Sequence, residues 1–312
     1  FSSRRRHTRL LTVTGVQTCA LPICTVLTAM ITPFNKDGNV DIDGAAKLAE
    51  HLVKLGNDGI VVNGTTGESA TTTEIEKNQV LKAVLESVGN KAKVIAGVGS
   101  NDTAHTVGLA KDAEKLGAHG VLVVTPYYNK PTQQGVYAHF KTVADATGLP
   151  LMTYDIPGRA GIAIESETFL KLSEHPRIVA NKDAKNNLEA ASKLIKETKL
   201  AWYSGEDALN LPLLSIGAIG FVSVCGHLIA DRLKLMADSF FNSNFNKALE
   251  IHQNLLPIYT GVMSRMPGVM SIKAALSLQG LPAGAARLPL VNADEKQIQQ
   301  LRADLLAGGL KI

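Results

Sequence analysis

The 312-residue chain lacks several things, and each lack removes a class of protein. It has three cysteines, Cys19, Cys24 and Cys225. An odd number, two of them near the start, is no disulfide framework and fits a reducing compartment, so a cytoplasmic protein is expected. Its eight histidines are scattered, with no HExxH motif and no Cys/His cluster, so no metal site is expected. No apolar run reaches the roughly 18 residues that span a bilayer, so no membrane partner is expected. Acidic residues are absent from positions 1–23, where Arg4, Arg5, Arg6 and Arg9 account for the whole formal charge of +4. The rest of the chain is neutral and offers no electrostatic reason to propose nucleic acid.

Residues 1–23 show neither a helical nor a strand period. They resemble translated sequencing-adapter read-through; a transit peptide is the competing reading of an Arg-rich, acid-free start. They are set apart as a non-native or disordered segment, and the native chain is expected to begin near Cys24 or Thr25.

The whole chain is 45% hydrophobic and 19% charged, enough for one large domain or two modest ones. Short β-rich runs alternate with amphipathic helical stretches. The runs are 27–34, 59–63, 94–99, 121–124, 151–155, 177–184, 201–204 and 221–224. Asp43 is expected to cap a helix through about Leu55, and Thr73–Glu76 reads as a capping box. Beyond Asp231 only helical patterns follow, over 245–263, 269–278 and 294–306. An internal repeat supports the count: Leu55–Val62 matches Leu116–Val123, and Ile216–Ser223 matches both. In each, one glycine is placed to end a helix in the left-handed conformation and a second to open a strand. The strands are continuously apolar, as strands buried on both faces are. Eight such units close into a (β/α)8 TIM barrel over 24–232, with a C-terminal helical extension over 233–312. A doubly wound open sheet is weaker, because no GxGxxG motif sits at the first βα turn.

In such a barrel the chemistry lies at the C-terminal strand ends. There the sixth run carries Lys182. A lysine desolvated at the end of an inner strand loses proton affinity and becomes a usable nucleophile that can form a Schiff base with a ketone. Taken alone it is more often a snorkelling side chain. Gly64–Ser69 after the second run is a turn of glycines and hydroxyls that can bind an anion with its N–H groups, though most such turns are only turns. Tyr127 and Tyr128 follow the fourth run, and Tyr154 and Arg159 the fifth. Each has a bland reading as packing or solvated surface. Together they put hydroxyls, a cation and an amine at one end of one barrel.

Gly64–Ser69, Thr125–Pro131, Tyr154 to Gly161, Lys182 and Ser204–Asp207 together resemble the dihydrodipicolinate synthase family of class I pyruvate-dependent aldolases. The likeness runs from about Thr25 to the C-terminus. It implies that pyruvate forms an imine on Lys182 and that the derived enamine attacks aspartate semialdehyde, giving 4-hydroxy-tetrahydrodipicolinate. The imine is covalent, and no other cofactor is implied. Tyr154 would move the proton, with Thr65 and Tyr128 completing a hydroxyl relay and Tyr128 serving the neighbouring subunit's site. Thr66, the Val222 carbonyl and Gly205 would meet pyruvate, and Arg159 would hold the semialdehyde carboxylate. A homotetramer, built as a dimer of dimers, is implied. A related lyase acting on a sugar acid, like N-acetylneuraminate lyase, is the nearest alternative; a barrel that merely binds an anion would have no use for such a lysine.

The family likeness also implies a regulatory pocket for lysine, formed by Ser69, Ala70, Asn101, Tyr127 and the position of His105. Inhibited members carry an acid at the last of these. Glu74 and Lys77 stand where some inhibited members have histidines, and Lys77 would add a like charge against a bound lysine.

Overall fold

The computed structural model describes residues 24–312. The Arg-rich start and Cys19 lie outside the described residues. Eight strands carry the fold: β1 (Val26–Ala29), β2 (Gly59–Val62), β3 (Lys93–Gly97), β4 (Gly120–Val124), β5 (Leu151–Asp155), β6 (Ile178–Asp183), β7 (Ala201–Ser204) and β8 (Gly220–Ser223). They pair in parallel in chain order, and β8 closes on β1. Alternate residues point to opposite faces of each strand. Ile95, Leu122, Met152, Ala180 and Val222 belong to a cluster that fills the barrel. Ile60, Val62, Val94, Val121 and Val123 belong to the second cluster, shared with the surrounding helices. Burial on both faces is why the strands read as unbroken apolar runs.

The helices are α1 (Ile42–Lys54), α2 (Glu74–Val88), α3 (Thr103–Leu116), α4 (Gln133–Asp145), α5 (Pro157–Ala160), α6 (Ser166–Ser173), α7 (Leu188–Glu197), α8 (Asn210–Ser215), α9 (Gly226–Phe241), α10 (Phe245–Tyr259), α11 (Gly268–Leu278) and α12 (Glu295–Ala307). The repeated glycines act as their spacing suggests. Gly56, Gly117 and Gly217 have φ of 110°, 88° and 111°. Gly59, Gly120 and Gly220 each open a strand. A side chain at Gly220 would sit 2.3 Å from the Thr25 carbonyl, so the closing strand tolerates none there.

Local details differ from the sequence reading. The cap of α1 is Asp41, whose Oδ1 accepts from the Gly44 amide at 2.9 Å, and Asp43 lies inside the first turn. The first strand ends at Ala29, not near Phe34. Past it the Ile31 amide donates to His227 Nε2 at 3.1 Å, and Pro33 has no N–H to offer a ladder. The helix expected over 245–263 is regular only to Tyr259 and then widens into a π turn over Thr260–Ser264. The Thr73–Glu76 capping box is present as read. Helix α9 runs across position 232 with a break at Ile229, so barrel and C-terminal region share one helix.

The C-terminal region does not simply stack on the outside. After α11 the chain returns to the barrel mouth, where the Phe34 amide donates to the Ala283 carbonyl at 3.2 Å.

Candidate active site

Strand alternation that sends Ala180 into the barrel sends Lys182 the same way. The register places Tyr154 of β5 beside Lys182 on one side and Tyr203 of β7 on the other. Lys182 is 4% exposed, and its Nζ lies 4.1 Å from the centre of the Tyr154 ring. Burial pulls the ammonium pKa down to about 8. The negative charge of Asp207 opposes this, Arg159 adds to it, and Glu206 opposes it. An amine with this pKa is partly neutral near physiological pH and keeps its nucleophilicity.

The Tyr154 phenol is held protonated by burial. The Arg159 charge and the nearby Thr65 hydroxyl pull the other way. A buried, neutral phenol beside an amine can donate a proton and take it back. Thr65 and Thr66 lie in the turn after β2. The amides of Glu68 and Ser69 close that turn on Thr65 and Gly64 carbonyls at 3.1 and 3.2 Å. Those of Thr65 and Thr66 find no acceptor among the described residues, which leaves N–H groups available for an anion.

A cavity of about 310 Å³ adjoins this turn. Thr65, Ser69, Ala70, Tyr127 and Arg159 line it from the barrel side, and Pro267, Val269, Pro289 and Leu290 from the C-terminal region. Lys182, Tyr154 and Thr66 are not in its lining, and Tyr154 borders a separate, smaller cavity together with Thr65. Arg159 comes from α5, directly after β5, and is exposed toward the opening. Arg159 and the turn that carries Thr65 border one cavity, an arrangement that suits an anionic ligand.

Not every residue singled out in the sequence converges here. Tyr128 is 89% exposed and does not line the cavity, whereas its neighbour Tyr127 does. Its backbone is held at φ 72°, a conformation a bulky residue rarely adopts. Val222 is fully buried in β8 within the inner cluster. Gly205 lies against the lysine itself: a Cβ there would sit 2.9 Å from Lys182 Cγ and 3.0 Å from Cε. Its amide donates to the Asp183 carbonyl at 2.7 Å, so the backbone cannot retreat. Gly205→Ala is therefore expected to push the Lys182 stem aside. A displacement of about 1 Å at a reacting group costs on the order of 100-fold in kcat/KM. Steady-state kinetics with circular dichroism would check this; wild-type turnover in a folded variant would show that the stem has room to spare.

Of the regulatory set, Ser69, Ala70 and Tyr127 line the cavity, while Asn101 and His105 do not. The Asn101 carbonyl accepts from Asn129 Nδ2 at 2.9 Å, and His105 Nδ1 lies 3.0 Å from Glu74 Oε1. Lys77 corrects the sequence reading. Its Nζ is turned inward, donates to the Thr72 carbonyl at 2.5 Å and is buried, and it does not line the cavity.

The sequence reading gave Asp207 no role of its own. It is 2% exposed and accepts from the amides of Val224 at 3.0 Å and Cys225 at 2.9 Å, from Asn210 Nδ2 at 3.2 Å and from the Ser223 hydroxyl. These bonds hold Asp207 where it favours the charged form of Lys182. Its position just past a strand end was the available signal, but a Glu-Asp pair there reads as an ordinary solvated loop.

The model of the dihydrodipicolinate synthetase family matches residues 23–307. A curated relative from Streptomyces coelicolor, named 4-hydroxy-tetrahydrodipicolinate synthase 2, is 57% identical over 93% of this chain and 97% of its own. One from Acidothermus cellulolyticus, named 4-hydroxy-tetrahydrodipicolinate synthase, is 56% identical over 92% and 93%. Among solved structures, a DHDPS from Cyanidioschyzon merolae with lysine bound superposes with a TM-score of 0.90 at 44% identity, over 93% of this chain and 99% of that one. With a matching family model over nearly all described residues and close relatives along the same length, the chain belongs to the dihydrodipicolinate synthetase family.

Proposed function

We propose that this chain condenses pyruvate with L-aspartate 4-semialdehyde to give 4-hydroxy-tetrahydrodipicolinate, a carbon–carbon bond-forming step in lysine and diaminopimelate biosynthesis. The observation that carries the reading is Lys182: a buried amine with its pKa lowered to about 8, 4.1 Å from the Tyr154 ring. The neutral amine attacks the pyruvate ketone, and loss of water leaves an iminium ion on Nζ. Loss of a methyl proton gives the enamine. Its carbon attacks the aldehyde of the semialdehyde, and the aldehyde oxygen takes up a proton. The substrate's own amine then displaces Lys182 and closes the ring, returning the free enzyme.

Tyr154, which lines a small cavity together with Thr65, is the group suited to carry these protons. The free amides of Thr65 and Thr66 suit the pyruvate carboxylate, with the Val222 carbonyl beside it, and Arg159 suits the semialdehyde carboxylate. Gly205 supports the site by leaving room for the lysine stem. The exposure and backbone strain of Tyr128 support a role completed by a second chain, in a homotetramer. No step calls for a metal or an organic cofactor beyond the covalent imine. A cytoplasmic location accords with the unpaired cysteines Cys24 and Cys225.

One assay tests the reading and its regulation. Purified protein should turn over pyruvate with aspartate semialdehyde and leave N-acetylneuraminate uncleaved; the reverse preference would sink the proposal. Lysine titrated into the same assay should inhibit weakly. His105 stands where an acid would meet the ligand ammonium, and losing a charge-assisted hydrogen bond costs roughly 1.5–3 kcal/mol. That is about a tenfold to hundredfold loss of affinity. Strong inhibition at low lysine would overturn this expectation and would point to Glu74, already paired with His105, as the replacement partner.

A further inference from the structure

Glu68 closes the turn that carries Thr65 and Thr66, and no step above uses it. It borders the cavity, so a general acid or base is the first thought. Its surroundings argue otherwise. The side chain is 1% exposed, and Oε1 lies 2.7 Å from Lys273 Nζ on α11, itself 4% exposed. Oε2 accepts the Arg287 amide at 2.8 Å. Both oxygens are thus engaged by the C-terminal region, one in an ion pair and the other by a backbone amide.

The two cations are anchored in turn. Lys273 Nζ donates to the Ala285 carbonyl at 2.8 Å. The Arg287 guanidinium donates to the Thr71 and Gly38 carbonyls, each at 2.8 Å, and to both Glu76 oxygens, at 2.9 and 2.5 Å. The ammonium and the guanidinium lie 4.1 and 4.3 Å from the Phe34 ring. The network therefore fastens the loop after β1, the turn after β2 and the start of α2 to one C-terminal segment.

The turn needs such fastening. Asn63 and Glu68, at its two ends, have φ of 58° and 56°. Non-glycine residues stay in this region only where their surroundings impose it. Asn63 is held by its Nδ2, which donates to the Lys77 carbonyl at 2.9 Å. Glu68 is held by its carboxylate.

We infer that Glu68, Lys273 and Arg287 are positioning residues that set the geometry of the anion-binding amides at Thr65 and Thr66. The C-terminal region, in this account, is part of the pyruvate site although it supplies no reacting group. The inference rests on the proposed reading that this turn receives the pyruvate carboxylate.

The test uses the full chain. Lys273→Met leaves a buried carboxylate without its partner, and that charge is expected to pull Glu68 out of place. Pyruvate KM should rise about tenfold or more, equivalent to about one lost hydrogen bond, while kcat and the semialdehyde KM stay within about threefold. The double variant Glu68→Gln/Lys273→Met leaves no unpaired charge and should recover most of the pyruvate affinity. Arg287→Lys, a change at a largely buried side chain that removes the guanidinium fork, should give a smaller rise confined to pyruvate. It carries the test if Lys273→Met does not fold. An unchanged pyruvate KM in the folded variants would overturn the inference, as would kcat and both KM values shifting together. Borohydride trapping of wild-type protein separates the two levels. If the wild type traps pyruvate and the variants behave normally, only the positioning role fails; if the wild type traps none, the reading of function fails and takes the inference with it.

Discussion

Lys182→Ala is expected to eliminate the pyruvate adduct that borohydride traps, and to lower kcat by at least about 10⁴-fold, as removing a covalent nucleophile does elsewhere. Lys182→Arg should not restore activity, because a guanidinium stays protonated at any accessible pH. Mass spectrometry of the wild type should place the adduct on the peptide that carries Lys182. An adduct on Lys130 or Lys185 would overturn the assignment. The rate of imine formation should also follow pH in a defined direction. With the pKa lowered to about 8, most of the amine is protonated at pH 7. Only about one molecule in ten then presents the free base, and the rate should rise through pH 8 and level off above it. The same shift has a sign for stability. The folded-state pKa lies below that of the unfolded chain, so the unfolded state binds more protons between the two values. The burden of the buried charge is complete below about pH 8 and is relieved as pH rises toward the ordinary lysine range. Lys182→Met, which keeps the volume and drops the charge, should therefore melt higher than wild type at pH 7 while remaining inactive.

Mixing two inactive variants should restore activity if Tyr128 serves its neighbour. Tyr128→Phe removes one hydroxyl of the proton relay and should cost about 10²- to 10⁴-fold alone. Combined with Lys182→Ala chains, it should regenerate intact sites, because a heterodimer holds one site with both wild-type groups and one with neither. At equal mixing half the dimers are heterodimers, so about a quarter of wild-type activity is expected. The single chain gives the reason to look. A tyrosine 89% exposed, held at φ 72°, is ill-suited to solvent and well suited to insertion into a partner. No recovery from verified mixed dimers would mean that Tyr128 works within its own chain.

The closed barrel was legible in the sequence because its signals are local. Gly56 with Gly59, Gly117 with Gly120, and Gly217 with Gly220 each mark a helix end and a strand start within four positions, and doubly buried strands leave unbroken apolar runs. The candidate lysine was legible for the same reason: an amine in such a run is chemically conspicuous. The motif likeness supplied roles for Tyr154, Thr65 and Arg159 that their residue types alone do not. Tertiary structure decided the rest. Whether Asp41 or Asp43 caps α1 depends on one turn of backbone, and either reads equally well in the sequence. Lys77 turns inward because its amine finds the Thr72 carbonyl, which composition cannot forecast. The space that Gly205 leaves for Lys182 exists only where β6 and β7 lie side by side. The Arg287 amide reaches Glu68 across 219 residues of sequence. Periodicity and capping act over a few residues, whereas contacts of that range exist only once the barrel has closed and the C-terminal segment has folded back over its mouth.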